Sequence, residues 1–397
     1  MSIIPVILAP VLLFLSAAVL YLFALAAAYF FCRPGKRYDE RAPELRFAVI
    51  IPAHNEAEGI SATLESMKNL DYPAHLYDAV VIADNCTDAT AEAAGKEGMR
   101  CLVREDPSKK GKGHALEYAL RVLLREEFDC FIVVDADSVL TGNFLRVMNS
   151  RMLAGHGVVQ ACYGMSNPDA GPLSYLFFIG NVLENRLFYG GKSKLGLPVN
   201  LRGNGMCFSR RVLEMQPWNA YSVVEDTEYG LKLIQRGVKV HFEQDAQVLA
   251  RQPETLGQAR NQRIRWASGN MAVTRAYALR LMLKGLFAYD LALFDTGFGL
   301  LVLSKPLLLL LSLLSAAVSL FYFSAGGKGG AVFAGWAVLL LLAQTAYLLT
   351  GIFMEEINCL RMRYLLLSPV LILWFFLVAS LGLVGYRGDL WLRTKRV

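Results

Sequence analysis

Residues 3–32 contain no charged side chain. As a helix rising ~1.5 Å per residue this run is about 45 Å long, enough to cross a bilayer core with tilt. No Lys or Arg precedes it, while Arg33, Lys36, Arg37 and Arg41 follow. A signal peptide has the opposite polarity and a shorter core, so the run is expected to stay as an anchor. Positive charge on its C-terminal side places residue 33 onward in the cytoplasm. From 45 to 250 the pattern changes. Short apolar runs (Phe47–Ile51, Ala79–Ala83, Phe131–Val134) alternate with helix-like stretches at 57–70, 87–98 and 112–126. Such alternation predicts βαβ units, in which ligands bind beyond the carboxyl ends of the strands. A further helix-like run, Leu173–Tyr189, is placed at the membrane interface.

From about 258 the chain is basic and amphipathic, then apolar again, with spans expected at 306–323, 331–351 and 364–385. The stretch 286–304 is also apolar but carries Asp290 and Asp295. A carboxylate at mid-bilayer costs about 2.5–3.5 kcal/mol, so this stretch is expected at the interface. The predicted organisation is an anchor at 1–34, an α/β domain at 45–257, an interface region at 258–285, a membrane bundle at 286–385 and a basic tail at 386–397. Three crossings after the domain would leave that tail outside. Its Arg387, Arg393, Lys395 and Arg396 ask for the cytoplasm instead. The conflict is resolved if 286–304 crosses, or if the segment broken by Pro369 dips in and returns.

Composition agrees with a membrane protein: 55% of the 397 residues are hydrophobic, and the net charge is only +6. No basic stripe is interleaved with aromatics, so nucleic acid is not an expected partner. The seven cysteines, at 32, 86, 101, 130, 162, 207 and 359, show no CxxC or metal-ligand spacing. They read as free thiols in a reducing compartment.

The chemistry sits after the strands. The first releases Ile51-Pro52-Ala53-His54-Asn55-Glu56, the second Asp84-Asn85-Cys86-Thr87-Asp88, and the third Asp135-Ala136-Asp137-Ser138. Alone, an Asp-x-Asp is as well explained by a solvated turn. At one sheet edge, two such carboxylates suit a hard divalent ion completed by a diphosphate. Gly111-Lys112-Gly113-His114 opens a helix and suits an anionic phosphate, but lacks the spacing of a Walker A loop. Glu225-Asp226 begins another helix, where acidic residues also serve as caps. Gln262-Arg263-Ile264-Arg265-Trp266 fits a helix lying on a membrane surface.

In this order and spacing, IPAHNE, DNCTD, GKGHAL, DADS, ED and QRIRW resemble the family-2 glycosyltransferases with a GT-A fold, a Rossmann-like mixed sheet. The resemblance is strongest to the membrane-integrated branch that includes cellulose, hyaluronan and poly-N-acetylglucosamine synthases and ceramide glucosyltransferase. It implies that Asp84 contacts the donor nucleobase, that Pro52 and Glu56 line the same pocket, and that Lys112 and Asp135 hold phosphate and ribose. It implies Mg²⁺ or Mn²⁺ on Asp137 and a general base at Asp226, with Glu225 beside it. Gly203 and Asn204 would form the acceptor-side loop. Gln262, Arg263, Arg265 and Trp266 would cap the site, the arginines near the diphosphate and Trp266 under the acceptor sugar. The tail residues Trp391, Thr394 and Arg396 would close over the donor.

Displacing a nucleotide diphosphate needs a cation on the leaving group and a base on the opposite face. One base and no nucleophile predicts inversion and a β-linked product. The expected activity is transfer from a nucleotide sugar, a UDP-sugar, to a growing polysaccharide at the plasma membrane. The alternative acceptor is a membrane lipid, which the modest number of spans favours. A non-catalytic scaffold or transporter is the third reading, disfavoured because each expected acidic position is filled.

Overall fold

The side chains of Phe47, Val49 and Ile51 enter one buried cluster and those of Ala48 and Ile50 another, on the two faces of a single sheet. A strand covered on both faces is hydrophobic without alternation, which is why this run is apolar throughout. The protein is described by a computed structural model over residues 3–32, 40–302 and 304–384. Its sheet has eight strands: β1 Phe47–Ala53, β2 Tyr77–Asp84, β3 Arg100–Arg104, β4 Cys130–Val133, β5 Ser138–Leu140, β6 Val158–Met165, β7 Met206–Ser209 and β8 Val240–Ala250. The order is β3-β2-β1-β4-β7-β6-β8-β5. The first four in that order are parallel, as βαβ units require. β7 then runs antiparallel to both β4 and β6, and β5 antiparallel to β8, so the sheet is mixed.

One face of the sheet carries the helices Ile60–Lys68 and Phe144–Leu153. On the other face, a single buried cluster runs from Ala48 and Ile50 through Tyr175 and Phe188 to Leu12, Leu25, Leu308 and Tyr347. The catalytic-type domain and the apolar helices therefore share one core. Close approach is built into it, because a Cβ on Gly191 would sit 2.3 Å from the Leu25 carbonyl oxygen.

Among the described residues, three helices are long and apolar enough to cross a membrane: Ile4–Phe31, Lys305–Ser324 and Gly330–Phe353. A fourth span is available only if Cys359–Leu366 and Ser368–Leu383 count as one, and these are bent by 53°. Pro369 sits in the first turn after that break, where it lacks an N–H to continue the preceding helix. The tail 386–397, with Trp391, Thr394 and Arg396, lies outside the described residues.

The stretch containing Asp290 and Asp295 forms the helix Leu291–Val302, whose 12 residues span about 18 Å, too little to cross. Asp290 caps its start, accepting from the Leu293 N–H at 3.1 Å. Asp295 is buried in protein, 2.9 Å from Lys192 Nζ, and accepts from the Tyr21 hydroxyl at 2.7 Å. Both members of the ion pair are almost wholly enclosed, with side-chain exposures of 2% and 4%. Removing one partner strands a buried charge, at a penalty of about 3–5 kcal/mol. Lys192→Met should therefore sharply lower the thermal midpoint of the detergent-solubilised protein. The double variant with Asp295→Leu should recover much of the loss. A single variant as stable as the wild type would show that the pair contributes nothing.

Candidate active site

Two strand ends are held in unusual backbone conformations by their neighbours. Asn55 and Asn85 both have positive φ (57° and 49°), which asparagine tolerates better than most residues. Asn55 Oδ1 accepts from the Thr87 N–H at 2.7 Å, and Asn85 Oδ1 from the Asp106 N–H at 2.8 Å. These bonds fix the loops after β1 and β2 side by side, with Asp84 at their base. Asp84 is buried against Arg104, 2.5 Å from Oδ1, and the same oxygen accepts from Asn85 Nδ2 at 3.0 Å. Its Oδ2 is buried with no hydrogen-bond partner, although the residue lines the main cavity. A buried orphan acceptor is costly, and it fits a ligand that brings an N–H.

The next group gathers around Lys112, the first residue of the helix Lys112–Leu123. Its ammonium donates to Asp135 and, at 2.6 Å, to the Gly203 carbonyl oxygen. Burial opposes the charge, but Asp135, Glu225 and Asp226 together outweigh it and hold the Lys112 pKa above its ordinary value. The helix can start here because residue 113 is glycine; a Cβ there would lie 2.2 Å from the Ala220 carbonyl oxygen. Gly203, with φ +76°, is similarly confined: a Cβ would stand 3.1 Å from Asp226 Oδ2 and 3.6 Å from Lys112 Nζ. Lys112, Asp135, Gly203 and Asp226 thus meet in one small volume.

Glu225 and Asp226 begin the helix Glu225–Gln235, and both line the cavity. Burial raises both carboxyls, Glu225 to about 8, helped by the Asp226 charge, and Asp226 to about 6. Asp226 is held lower because the Thr227 N–H, 2.7 Å away, and Lys112 favour its charged form. The two carboxyls titrate as a pair, with Glu225 raised further than Asp226.

Gln262, Arg263, Arg265 and Trp266 lie on one side of the long helix Leu256–Phe287, at spacings that return to the same face. A capping box of Thr255 and Gln258 sets where this helix starts. Gly269 allows it to pack tightly on Val224, next to the two carboxylates. The Arg263 guanidinium lies 3.8 Å from the centre of the Phe177 ring and 5.0 Å from Trp266. Gln262 Oε1 is buried without a partner.

The cavity, about 800 Å³, is continuous: it includes Pro52, Glu56, Asp84, Lys112, Asp135 and Asp137, passes Asp226 and Trp266, and reaches Leu309, Ile352 and Phe375 on the apolar helices. Among the described residues, one expected site residue is not in it. The Asn204 side chain is buried beneath the floor, accepting from the Asp135 N–H at 3.2 Å and donating to Ser138 Oγ at 2.8 Å. It braces the Asp135–Ser138 turn instead of facing an acceptor. Conversely, Tyr163, Asn181, Glu184, Arg202 and Lys305 line the cavity without having been singled out from the sequence.

For a divalent ion the chain offers the carboxylates of Asp135 and Asp137, with the latter accepting from Ser138 Oγ at 3.1 Å. Among the described residues no group of three His, Cys, Asp or Glu could hold a metal ion. One or two carboxylates completed by substrate phosphates is how Mg²⁺ is commonly held. The donor set fits a hard cation that arrives with a diphosphate.

The sequence profile of the family described as "Glycosyltransferase like family 2" matches residues 43–269, more than half of the chain. This chain belongs to that family. The family-2 glycosyltransferase is 27% identical over 250 residues to "Probable glycosyltransferase YdaM" of Bacillus subtilis, covering 60% of this chain and 58% of that one. It is 24% identical over 248 residues to the poly-beta-1,6-N-acetyl-D-glucosamine synthase of Staphylococcus aureus (strain COL), with 60% and 58% covered. The aligned part thus spans less than two thirds of either relative. Among solved structures, a mannosyltransferase from Pyrobaculum calidifontis in complex with GDP-Man and Mn²⁺ superposes with a TM-score of 0.58 at 19% identity. That match covers 88% of this chain and all of the other, and establishes the shared GT-A fold.

Proposed function

We propose that this family-2 glycosyltransferase moves a sugar from a nucleotide-sugar donor to an acceptor presented from the membrane, with inversion at the anomeric carbon. The observation that carries this reading is the single cavity joining the carboxylate cluster to the apolar helices. Asp84 Oδ2 would accept from the base. That calls for a ring N–H, as uracil and guanine have, and a UDP-sugar meets it. Pro52 and Glu56 would flank the nucleoside, while Lys112 would take the phosphates. Asp137, with Asp135, would hold Mg²⁺ or Mn²⁺, which when bound stabilises the charge on the leaving diphosphate.

Asp226 would take the proton from an acceptor hydroxyl as its oxygen bonds to the anomeric carbon. The bond from that carbon to the diphosphate breaks, and the nucleoside diphosphate leaves. No other nucleophile is needed, so an α-linked donor gives a β-linked product. Glu225, protonated beside it, keeps a second negative charge out of the site. Gln262, Arg265 and Trp266 would line the acceptor side. Because nucleotide sugars are cytoplasmic, the domain is placed on that side of the plasma membrane, in keeping with the positive-inside pattern.

A polysaccharide acceptor is supported by the likeness to a poly-N-acetylglucosamine synthase. A lipid acceptor is supported by the apolar part of the cavity lining, which the helices Lys305–Ser324 and Gly330–Phe353 help to supply. Radiolabelled transfer from a panel of nucleotide sugars, with products separated by lipid extraction and by size, tests both. Label is expected in the lipid extract with at least one donor. Nucleotide binding without transfer from any donor, across acceptors of both kinds, would leave a binding protein and overturn the enzymatic reading.

A further inference from the structure

The cavity contains two guanidinium groups to account for: Arg202, which the donor reading does not place, and Arg263, which the resemblance sets near the diphosphate but which lies against Phe177 and Gln252. Arg202 precedes Gly203, and its side chain turns to Asn181 and Asn185. Nη1 donates to Asn185 Oδ1 at 2.6 Å and Nη2 to Asn181 Oδ1 at 3.1 Å. The group also lies over the rings of Tyr163 and Tyr189, at 5.1 and 5.5 Å. Asn181 belongs to the helix Pro172–Val182, and Asn185 to the π-helical turn Leu183–Gly190 that continues it. The helices Gly330–Phe353 and Cys359–Leu366 pack on this element. A π-helical turn widens the backbone, a feature found mostly at functional sites.

Arg263 approaches from the long helix. Its Nη2 donates to Gln252 Oε1 at 3.0 Å, while Nε is buried with no hydrogen-bond partner. The two charges are close enough that Arg202 helps burial to pull Arg263 down to about 10. Every hydrogen-bonding support of both groups is neutral: three amide oxygens, with aromatic faces alongside. The neighbouring charges are already matched, Glu184 with Lys305 and Arg186 with Glu355. Among the described residues no carboxylate pairs with Arg202 or Arg263, and neither has a further partner. Two partly buried like charges without a counter-ion are unfavourable, and an anion in the cavity would relieve them.

The surroundings identify the anion's carrier. Beyond Phe177 the cavity is lined by Leu183, Leu309, Ile352, Ile372 and Phe375, all apolar. On the other side Gly203 separates Arg202 from Asp226, the carboxylate expected to accept the proton. We propose that Arg202 and Arg263 seat the phosphate of a lipid acceptor, whose chains run along the apolar lining and whose head-group hydroxyl faces Asp226. The acceptor class is then a hydroxylated lipid phosphate, and neither a neutral lipid nor a free sugar. This rests on the sugar-transfer reading for its purpose but not for its test. Guanidinium forks match phosphate oxygens two at a time, which is why arginine suits the task.

The test is binding by the full chain in detergent, read by native mass spectrometry, with phosphatidylglycerol, diacylglycerol of the same acyl chains, and glycerol phosphate. Phosphatidylglycerol should bind at least about tenfold more tightly than diacylglycerol, the worth of one charge-assisted hydrogen bond. Arg202→Gln should bring it down to the diacylglycerol level, and Arg202→Lys should retain an intermediate affinity. The lysine variant, with its thermal midpoint matched to wild type, keeps the answer readable if the glutamine variant folds poorly. Equal binding of the two lipids, or no loss in Arg202→Gln, would overturn the seat. Displacement of the lipid by glycerol phosphate at equal concentration would assign the pair to free phosphate. Displacement by a nucleoside diphosphate that depends on Arg202 would assign it to the donor. Either displacement would refute the lipid acceptor. A separate titration with UDP and GDP distinguishes the two readings. If neither nucleotide binds while lipid phosphate still does so through Arg202, the transferase reading fails and the seat stands.

Discussion

Asp226→Asn is expected to bind donor nucleotide as the wild type does and to lose roughly 10²–10⁴-fold in turnover, the usual worth of a general base. The amide is isosteric and can still accept from the Thr227 N–H, so the helix start should survive. What it cannot do is take a proton. The pH dependence gives a second readout. Asp226 must be charged to act, and burial raises its pKa to about 6. Turnover should therefore rise with pH through about 6 and level off above it, and this acid limb should vanish in Asp226→Asn. Glu225→Gln should behave differently, because Glu225 is raised to about 8 and is protonated at neutral pH. Glutamine is as neutral as the protonated Glu225, so the acid limb should stay near pH 6, with a far smaller loss at pH 7. If Glu225→Gln instead proved the inactive variant, with Asp226→Asn near normal, the roles of the two carboxyls would have to be exchanged.

How much of this was legible in the sequence depends on the kind of signal each part leaves. β1, β2 and β4 are covered on both faces, so they stand out as apolar runs, and residues at or just beyond their carboxyl ends (Pro52, Asp84, Asp135) do line the cavity. β5 and β7 have three and four residues, too few for any period to show, and their antiparallel pairing is dictated by partners far away in the chain. The mixed sheet was therefore reached through the family resemblance and not through periodicity. Asn204 illustrates a different limit. Its place next to Gly203 is plain from the motif, but the pairing of β4 with β7, which turns its amide down onto the Asp135 N–H, is not. Glu184 and Lys305 each look like an unwelcome charge in an apolar stretch until the fold brings them together, as do Lys192 and Asp295. Charges that interrupt apolar runs were the one available clue, and matching them in pairs is the step that sequence alone does not supply. The same step, carried out on the structure, is what leaves Arg202 and Arg263 over.

Chelation of divalent ions is expected to abolish turnover, with Mg²⁺ or Mn²⁺ restoring it and Zn²⁺ failing to. The argument is from the donor set. Asp135 and Asp137 offer hard carboxylate oxygens at the end of β4, and among the described residues no group of three His, Cys, Asp or Glu gathers to favour a softer ion. Asp135 is also engaged by Lys112, which leaves Asp137 as the principal ligand and the chain short of a full coordination shell. An incomplete shell predicts linkage: Mn²⁺ should bind the free protein weakly and bind markedly more tightly once a nucleoside diphosphate supplies phosphate oxygens. Calorimetric titration with and without UDP or GDP measures that difference without any turnover. Asp137→Asn should remove the nucleotide-dependent component and silence the enzyme together. Full activity in excess chelator, or metal affinity indifferent to nucleotide and to Asp137, would reduce the Asp135–Ser138 segment to the solvated turn that an isolated Asp-x-Asp most simply is.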